Sequence, residues 1–210
     1  MSSHTMELPR KIVVGEKNIA NIGNFLKSLK NTKKVSLISG SNVKKIVQKK
    51  IEKHFDLAKI ENIWYLAKTN DTKSIRDIEK KVSQNKSDLI IGIGGGRSVD
   101  IAKMIGFNLA LPFVSVPTSA SHDGIASPFV SIKGDKPHSL VTTAPLGVFV
   151  DVDIMKRAPK KLLASGCGDL IAKITAVRDW QLSRDKTGEY YGRYSADLAL
   201  MSAKILMESS

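Results

Sequence analysis

An almost uninterrupted apolar run, Asp88-Leu-Ile-Ile-Gly-Ile, leads straight into Gly94-Gly95-Gly96-Arg97-Ser98-Val99-Asp100. Strand side chains alternate between faces, so a strand apolar at successive positions is covered on both sides. Parallel sheets flanked by helices contain such strands. The glycines lack Cβ atoms, so a diphosphate can lie against backbone N–H groups there. A helix predicted over Ser98–Ile105 would add the positive end of its dipole, and Ser98 can cap that helix or donate to phosphate. Taken alone, the triplet reads equally well as a tight strand-to-helix turn. It is not the ordinary dinucleotide fingerprint, because Arg97 stands where a third glycine is wanted and the turn follows about the fourth strand, not the first. No Gly-Lys-Ser/Thr follows, which excludes the phosphate loop of nucleoside triphosphatases.

The rest of the chain fits an α/β fold. Strands are predicted at Lys11–Val14, Lys33–Ser39, Ile60–Leu66, Asp88–Gly92 and Pro112–Pro117. Between them, Ile19, Ile22, Phe25, Leu26 and Leu29 recur at helical spacing, as do Val43, Ile46, Val47, Ile51 and Phe55. Strands alternating with amphipathic helices give a mostly parallel sheet with helices on both faces. Short strand-like pieces follow from Ser127, with a hairpin expected around Gly134, and Val148–Asp151 closes the sheet region. Beyond Asp153 the pattern turns helical, and Tyr194, Leu198, Met201 and Ile205 share one helix face. The expected division is an α/β dinucleotide-binding domain over 6–157 and the start of an all-helical domain over 158–210, with the boundary near Pro159. Residues 1–5 are polar and read as an appended stretch before a natural start at Met6.

Composition narrows the class. The chain has 210 residues, a net charge of +13 from 33 Lys and Arg against 20 Asp and Glu, and one cysteine, Cys167. A single cysteine forms no internal disulfide, which fits a reducing, cytoplasmic setting and excludes a zinc site built mainly of cysteine. No apolar run is long enough to span a membrane, so membrane insertion is not expected. The lysines are spread over several helices and not interleaved with aromatics, so anionic metabolites are the expected partners, not nucleic acid.

Two further segments carry candidate chemistry. Pro117-Thr-Ser-Ala-Ser-His-Asp-Gly-Ile-Ala-Ser127 lies past the carboxyl end of a predicted strand, where open parallel sheets bind ligands. It offers the hydroxyls of Thr118, Ser119, Ser121 and Ser127, a titrating His122 and the carboxylate of Asp123. Its alternative reading is a hydroxyl-rich surface loop. Adjacent Ser, His and Asp cannot aim at one another as a hydrolase relay requires. The second segment is Gly166-Cys167-Gly168-Asp169, where the glycines permit close backbone approach and Asp169 is expected to head a helix. Asp151 and Asp153 form another acidic pair, with Asp153 expected to cap the segment after it.

In this order and spacing, Gly-Gly-Gly-Arg-Ser-Val-Asp, then Pro-Thr-Ser-Ala-Ser-His-Asp-Gly-Ile-Ala-Ser, then Gly-Cys-Gly-Asp resemble the sn-glycerol-1-phosphate dehydrogenase branch of a larger group. That group holds glycerol dehydrogenases, iron-containing alcohol dehydrogenases and dehydroquinate synthases. The glycine motif belongs to the whole group, whereas the His-Asp-Gly segment and Thr175-Ala-Val-Arg-Asp-Trp-Gln181 look like the glycerol-1-phosphate branch. The resemblance, which runs from about Lys11 to the end of the chain, implies reversible reduction of dihydroxyacetone phosphate by NADH or NADPH. The product, sn-glycerol 1-phosphate, has the stereochemistry of archaeal membrane phospholipids. It implies that Gly95, Gly96, Arg97, Ser98 and Asp100 surround the cofactor diphosphate, and that Thr118, Ser119, Ser121 and Ser127 line the rest of the cofactor. Asp123 would contact substrate, and Asp169 would contact substrate and bind a zinc ion that polarises the carbonyl.

The chain departs from this pattern in one respect. The branch completes its zinc site with two histidines further along, and none of His4, His54, His122 and His138 occupies those positions. The chain is therefore expected to be the first part of such an enzyme. A glycerol or related polyol dehydrogenase, a non-catalytic nucleotide-binding fragment and a basic nucleic-acid binder are the alternative readings, and a homo-oligomer is left open. The second strand ends Ile38-Ser39-Gly40-Ser41-Asn42 with no carboxylate for ribose hydroxyls, and Lys44 and Lys45 follow, so NADPH is expected to bind at least as well as NADH.

Overall fold

The computed structural model describes residues 5–132 and 138–209. Among them are strands β1 (Lys11–Gly15), β2 (Lys34–Ser39), β3 (Glu61–Leu66), β4 (Leu89–Gly94), β5 (Phe113–Pro117), β6 (Phe129–Ile132), β7 (His138–Val141) and β8 (Gly147–Asp151). Six of them form one parallel sheet in the order β1-β8-β5-β4-β2-β3. β6 and β7 pair antiparallel on their own. The turn expected around Gly134 lies outside the described residues.

Helices α1 (Ile22–Leu29), α2 (Ser41–Ala58), α3 (Thr72–Asn85) and α4 (Gly96–Asn108) cover the sheet. β4 has apolar partners on both sides. Its Leu89, Ile91 and Ile93 pack with Leu26, Val47, Ile51 and Phe55 of α1 and α2. Its Ile90 packs with Ile75 and Val82 of α3 and Val99 and Ile105 of α4. This two-sided burial is why β4 lacks the polar alternation of a half-exposed strand. Of the two sequence stripes, only Ile46 turns out well exposed.

The connections determine where a ligand can enter. α2 leaves β2 on one face of the sheet, whereas α4 leaves the neighbouring β4 on the other. Their divergence opens a crevice at the carboxyl ends of β2 and β4, the switch point where open α/β sheets take up ligands.

The opposite rim is tied by Asp88, whose carboxylate accepts the Lys33 and Lys34 N–H groups, each at 2.9 Å. These two bonds hold the carboxyl below the ordinary carboxylate range. A depressed carboxylate contributes stability above its unfolded-state pKa and loses it as pH falls through the folded value. Asp88→Ala should therefore cost about 1–2 kcal/mol at neutral pH. Chemical denaturation at pH 7 and again well below the ordinary carboxylate range should show that difference shrinking.

The chain divides into two compact units, one made of residues up to Ser119 with Gly124–Ala158, the other of Ala120–Asp123 with the residues from Pro159 onward. Within the first, a single-turn helix α5 (Val152–Met155) follows β8 and is capped by Asp151, which accepts the Ile154 N–H. Asp153, expected to be the cap, lies inside α5 and accepts the Lys17 N–H. Asp151 also accepts the buried Ile19 N–H at 2.8 Å, so both acids have structural partners.

The second unit is built on α6 (Lys160–Thr187) and α7 (Arg193–Glu208). Gly188 turns the chain between them at φ +72°, and the Trp180 Nε1–H fastens the turn by donating to the Tyr190 carbonyl at 2.7 Å. Ala196 and Ala203 are the buried residues of α7, while Tyr194, Met201 and Ile205 of the expected face are exposed. α6 overturns one expectation, because Asp169 does not head a helix. The helix begins at Lys160 behind Pro159 and runs unbroken through Gly166, Cys167, Gly168 and Asp169.

Candidate functional site

The glycine turn sits at the mouth of the β2–β4 crevice. Gly95, not Ser98, is the N-cap of α4, with extended backbone at φ −79° and ψ −174°. The N–H groups of Ser98 and Val99 both donate to the Gly95 carbonyl. Ser98 is buried and packs back under the turn, since a Cβ on Gly94 would come within 2.8 Å of its Oγ. Gly94 holds φ +147°, a conformation that favours glycine. Gly95 is different, because the nearest atom to a Cβ built there is Ser119 Oγ at 3.4 Å. It leaves bare backbone at a helix N-terminus, the geometry that receives a phosphate.

The following loop starts against this turn. Thr118 N–H donates to the Gly94 carbonyl at 3.0 Å, and Thr118 and Ser119 are both buried. Two segments far apart in sequence pattern thus meet within the first unit. Arg97 leans the other way, with Nη1 donating to the Lys68 carbonyl at 2.8 Å. Gly40, Ser41, Asn42, Leu66, Lys68 and Arg97 help to line a cavity of about 400 Å³ at the carboxyl ends of β2 and β3. Its cations are Lys68 and Arg97. Lys44, expected nearby, places its Nζ over the Trp64 ring, 5.6 Å from the centroid.

Asp100 is not at the turn. It lies one helical turn further along α4, mostly buried, with Oδ2 accepting the Ser131 N–H at 3.4 Å and Oδ1 3.9 Å from Lys103 Nζ. A carboxylate beside a diphosphate would be repelled, whereas here it braces β6. Ser127 is half-buried in the segment leading to β6.

In the second unit, Asp123, Asp169 and Lys173 form one polar cluster. Asp169 Oδ2 accepts the Asp123 N–H at 2.8 Å, and Lys173 Nζ donates to Asp123 Oδ2. Asp169 and Lys173 stand four apart on α6, hence on one face. Ser121, half-buried, belongs to the same short segment as Asp123.

A profile described as iron-containing alcohol dehydrogenase matches residues 13–159. The chain belongs to that family. Within it, a Nitrosopumilus maritimus protein named glycerol-1-phosphate dehydrogenase (NAD(P)+) is 63% identical over 210 residues, 100% of this chain and 59% of its own length. A Cenarchaeum symbiosum protein of the same name is 60% identical over the same shares. The chain thus spans about three fifths of the length of these curated relatives. The crystal structure of NADH-dependent butanol dehydrogenase A from Thermotoga maritima shares the fold, with a TM-score of 0.79 and 20% identity over 99% of this chain and 57% of that one.

Members of an iron-containing family raise the question of a metal. Asp169 offers one carboxylate, and the carboxylate of Asp123 is engaged by Lys173. Among the described residues, no group of three or more His, Cys, Asp or Glu could hold an ion. A catalytic zinc takes three protein ligands, so these residues alone do not fit one. Sequence reasoning missed three cations, Lys68, Lys103 and Lys173, because lysines in a basic chain read as solvated surface.

Proposed function

We propose that the whole protein reduces dihydroxyacetone phosphate to sn-glycerol 1-phosphate with NADPH or NADH, in the service of membrane phospholipid synthesis. The observation that carries this reading is the strand-glycine-helix turn at the switch point, in a chain 63% identical to a protein named for that activity. When bound, the dihydronicotinamide supplies a hydride to the carbonyl carbon, and the carbonyl oxygen takes up a proton.

The residues divide the work. Gly95, Gly96 and the first N–H groups of α4 receive the diphosphate, with Arg97 and Ser98 shaping the turn. Thr118, Ser119, Ser121 and Ser127 offer hydroxyls to the remainder of the cofactor. Asp123 accepts hydrogen bonds from the substrate hydroxyl, and Lys173 and Asp169 hold it in place. The net charge of +13 favours the anionic substrate and cofactor. Among the described residues Asp169 is the one zinc ligand in this reading, and its carboxylate alone does not hold the ion.

The test is NADPH oxidation by the whole protein with dihydroxyacetone phosphate, set against dihydroxyacetone. Phosphate-dependent turnover is expected, and equal turnover of both would favour a glycerol dehydrogenase. Asp123→Ala should cut turnover at least about tenfold, the worth of a hydrogen bond to a charged group, with NADPH affinity spared. Collapse of cofactor affinity at normal turnover per bound complex would overturn the assignment.

NADPH should bind at least as well as NADH, because Lys68 and Arg97 line the cavity after β2 and no acid does. Lys68→Glu replaces attraction of a 2′-phosphate by repulsion. It should weaken NADPH about tenfold or more while leaving NADH within a factor of about two. Fluorescence titration of both cofactors decides this, and a native preference for NADH would refute it.

A further inference from the structure

Lys103 has no exposed surface, although lysine is among the residues least often buried. It sits on α4 two turns beyond the glycine turn, and its ammonium has three N–H donors. One donates to the Gly124 carbonyl at 2.8 Å and another to the Phe129 carbonyl at 2.7 Å. The third side faces Asp100 Oδ1 at 3.9 Å, and Asp100 in turn accepts the Ser131 N–H. A methionine of similar length would occupy this space without the large desolvation cost of a buried charge. What methionine could not do is grip two carbonyls five residues apart.

Those carbonyls bracket Gly124–Phe129, the segment that carries Ser127. The helix that offers its N-terminus at the glycine turn therefore also holds, through one side chain, the chain on which Ser127 rides. We propose that Lys103, paired with Asp100, is a positioning residue that clamps Gly124–Phe129 and so sets Ser127 for the nicotinamide half of the cofactor. This rests on the NAD(P)H reading above and deepens it. Lys103 touches no reacting atom. Asp100, which the sequence resemblance placed around the diphosphate, becomes the counter-charge of the clamp.

The test separates the two halves of the cofactor. Lys103→Met is titrated with NADPH and with 2′-phospho-ADP-ribose, which keeps the diphosphate and lacks the nicotinamide. NADPH affinity should fall up to about tenfold, the worth of the Ser127 hydrogen bond that the loosened segment no longer places, while the fragment stays within about twofold. Lys103→Met leaves Asp100 buried without its cation, so the double variant Lys103→Met/Asp100→Asn, in which Asn can still accept the Ser131 N–H, is measured beside it. Thermal unfolding verifies both folds. Amide hydrogen exchange should quicken over 124–129 and stay unchanged in β4 and β5. Equal weakening of both nucleotides, or no weakening of either, would overturn the clamp while leaving the cofactor reading intact. If the unsubstituted chain binds neither nucleotide, the cofactor reading itself fails and the clamp falls with it.

Discussion

Gly95→Val should leave the protein folded and weaken NADPH binding at least about a hundredfold, because two or more charge-assisted hydrogen bonds from the turn to the diphosphate are lost together. The neighbouring glycines explain why this position separates binding from folding. A Cβ on Gly92 would meet Ala102 Cβ at 2.8 Å, Val99 Cα at 2.9 Å and the Ser98 carbonyl at 3.0 Å, so Gly92 lets β4 and α4 approach. Gly94 carries the left-handed φ and presses on Ser98. Substitutions at either position strain the fold itself. At Gly95 an added Cβ meets only Ser119 Oγ, at 3.4 Å, and otherwise stands where the proposed diphosphate would lie. Gly92→Val should accordingly lower the unfolding temperature by several degrees, a cost of roughly 1–3 kcal/mol for overpacking. Gly95→Val should not. NADPH fluorescence titration beside a thermal melt distinguishes them, and native affinity in folded Gly95→Val would remove the diphosphate from this turn.

Much of the first unit is legible in the sequence because its physics is local. β4 is apolar at nearly every position, a pattern that only burial on two faces requires, and α1 repeats its apolar residues at the period of its own turn. The glycine turn is legible as a strand-to-helix turn, yet its cap differs from the one propensity points to. Serine is the better cap by propensity, but here Ser98 is buried under the turn and Gly95 takes the extended cap conformation. Lys103 carries one sequence signal, since Asp100 and Lys103 stand three apart inside the apolar stretch from Val99 to Ile105. Opposite charges at that spacing on an apolar helix can be buried as a pair. Which carbonyls they hold depends on residues 21 and 26 positions away, beyond any local pattern.

In sequence the glycines of α6 suggest a break because glycine is a poor helix former, and their different surroundings lead to opposite effects of one substitution. Gly166 is buried, and a Cβ there would stand 2.0 Å from the Ala120 carbonyl oxygen and 2.9 Å from its carbon. That obstacle is backbone, so it cannot rotate away as a flexible side chain could. The segment Ala120–Asp123 rests on this helix at Gly166 and is held again where Asp169 accepts the Asp123 N–H and Lys173 pairs with Asp123. Pushing Ala120 outward therefore strains the bonds that hold Asp123. Gly166→Ala should destabilise the second unit by about 3 kcal/mol, the upper end for overpacking. Gly168, two residues on and exposed, has nothing within 4 Å of where a methyl group would sit. Gly168→Ala removes only the backbone entropy cost of glycine in a helix interior and should stabilise by about 0.5–1 kcal/mol. Cofactor affinity of the first unit should be unchanged in Gly168→Ala. Calorimetric melts of the two variants test the pair directly. If Gly166→Ala melts with or above the unsubstituted protein, the close approach of Ala120 to α6, and with it the placement of Asp123 beside Asp169, is wrong.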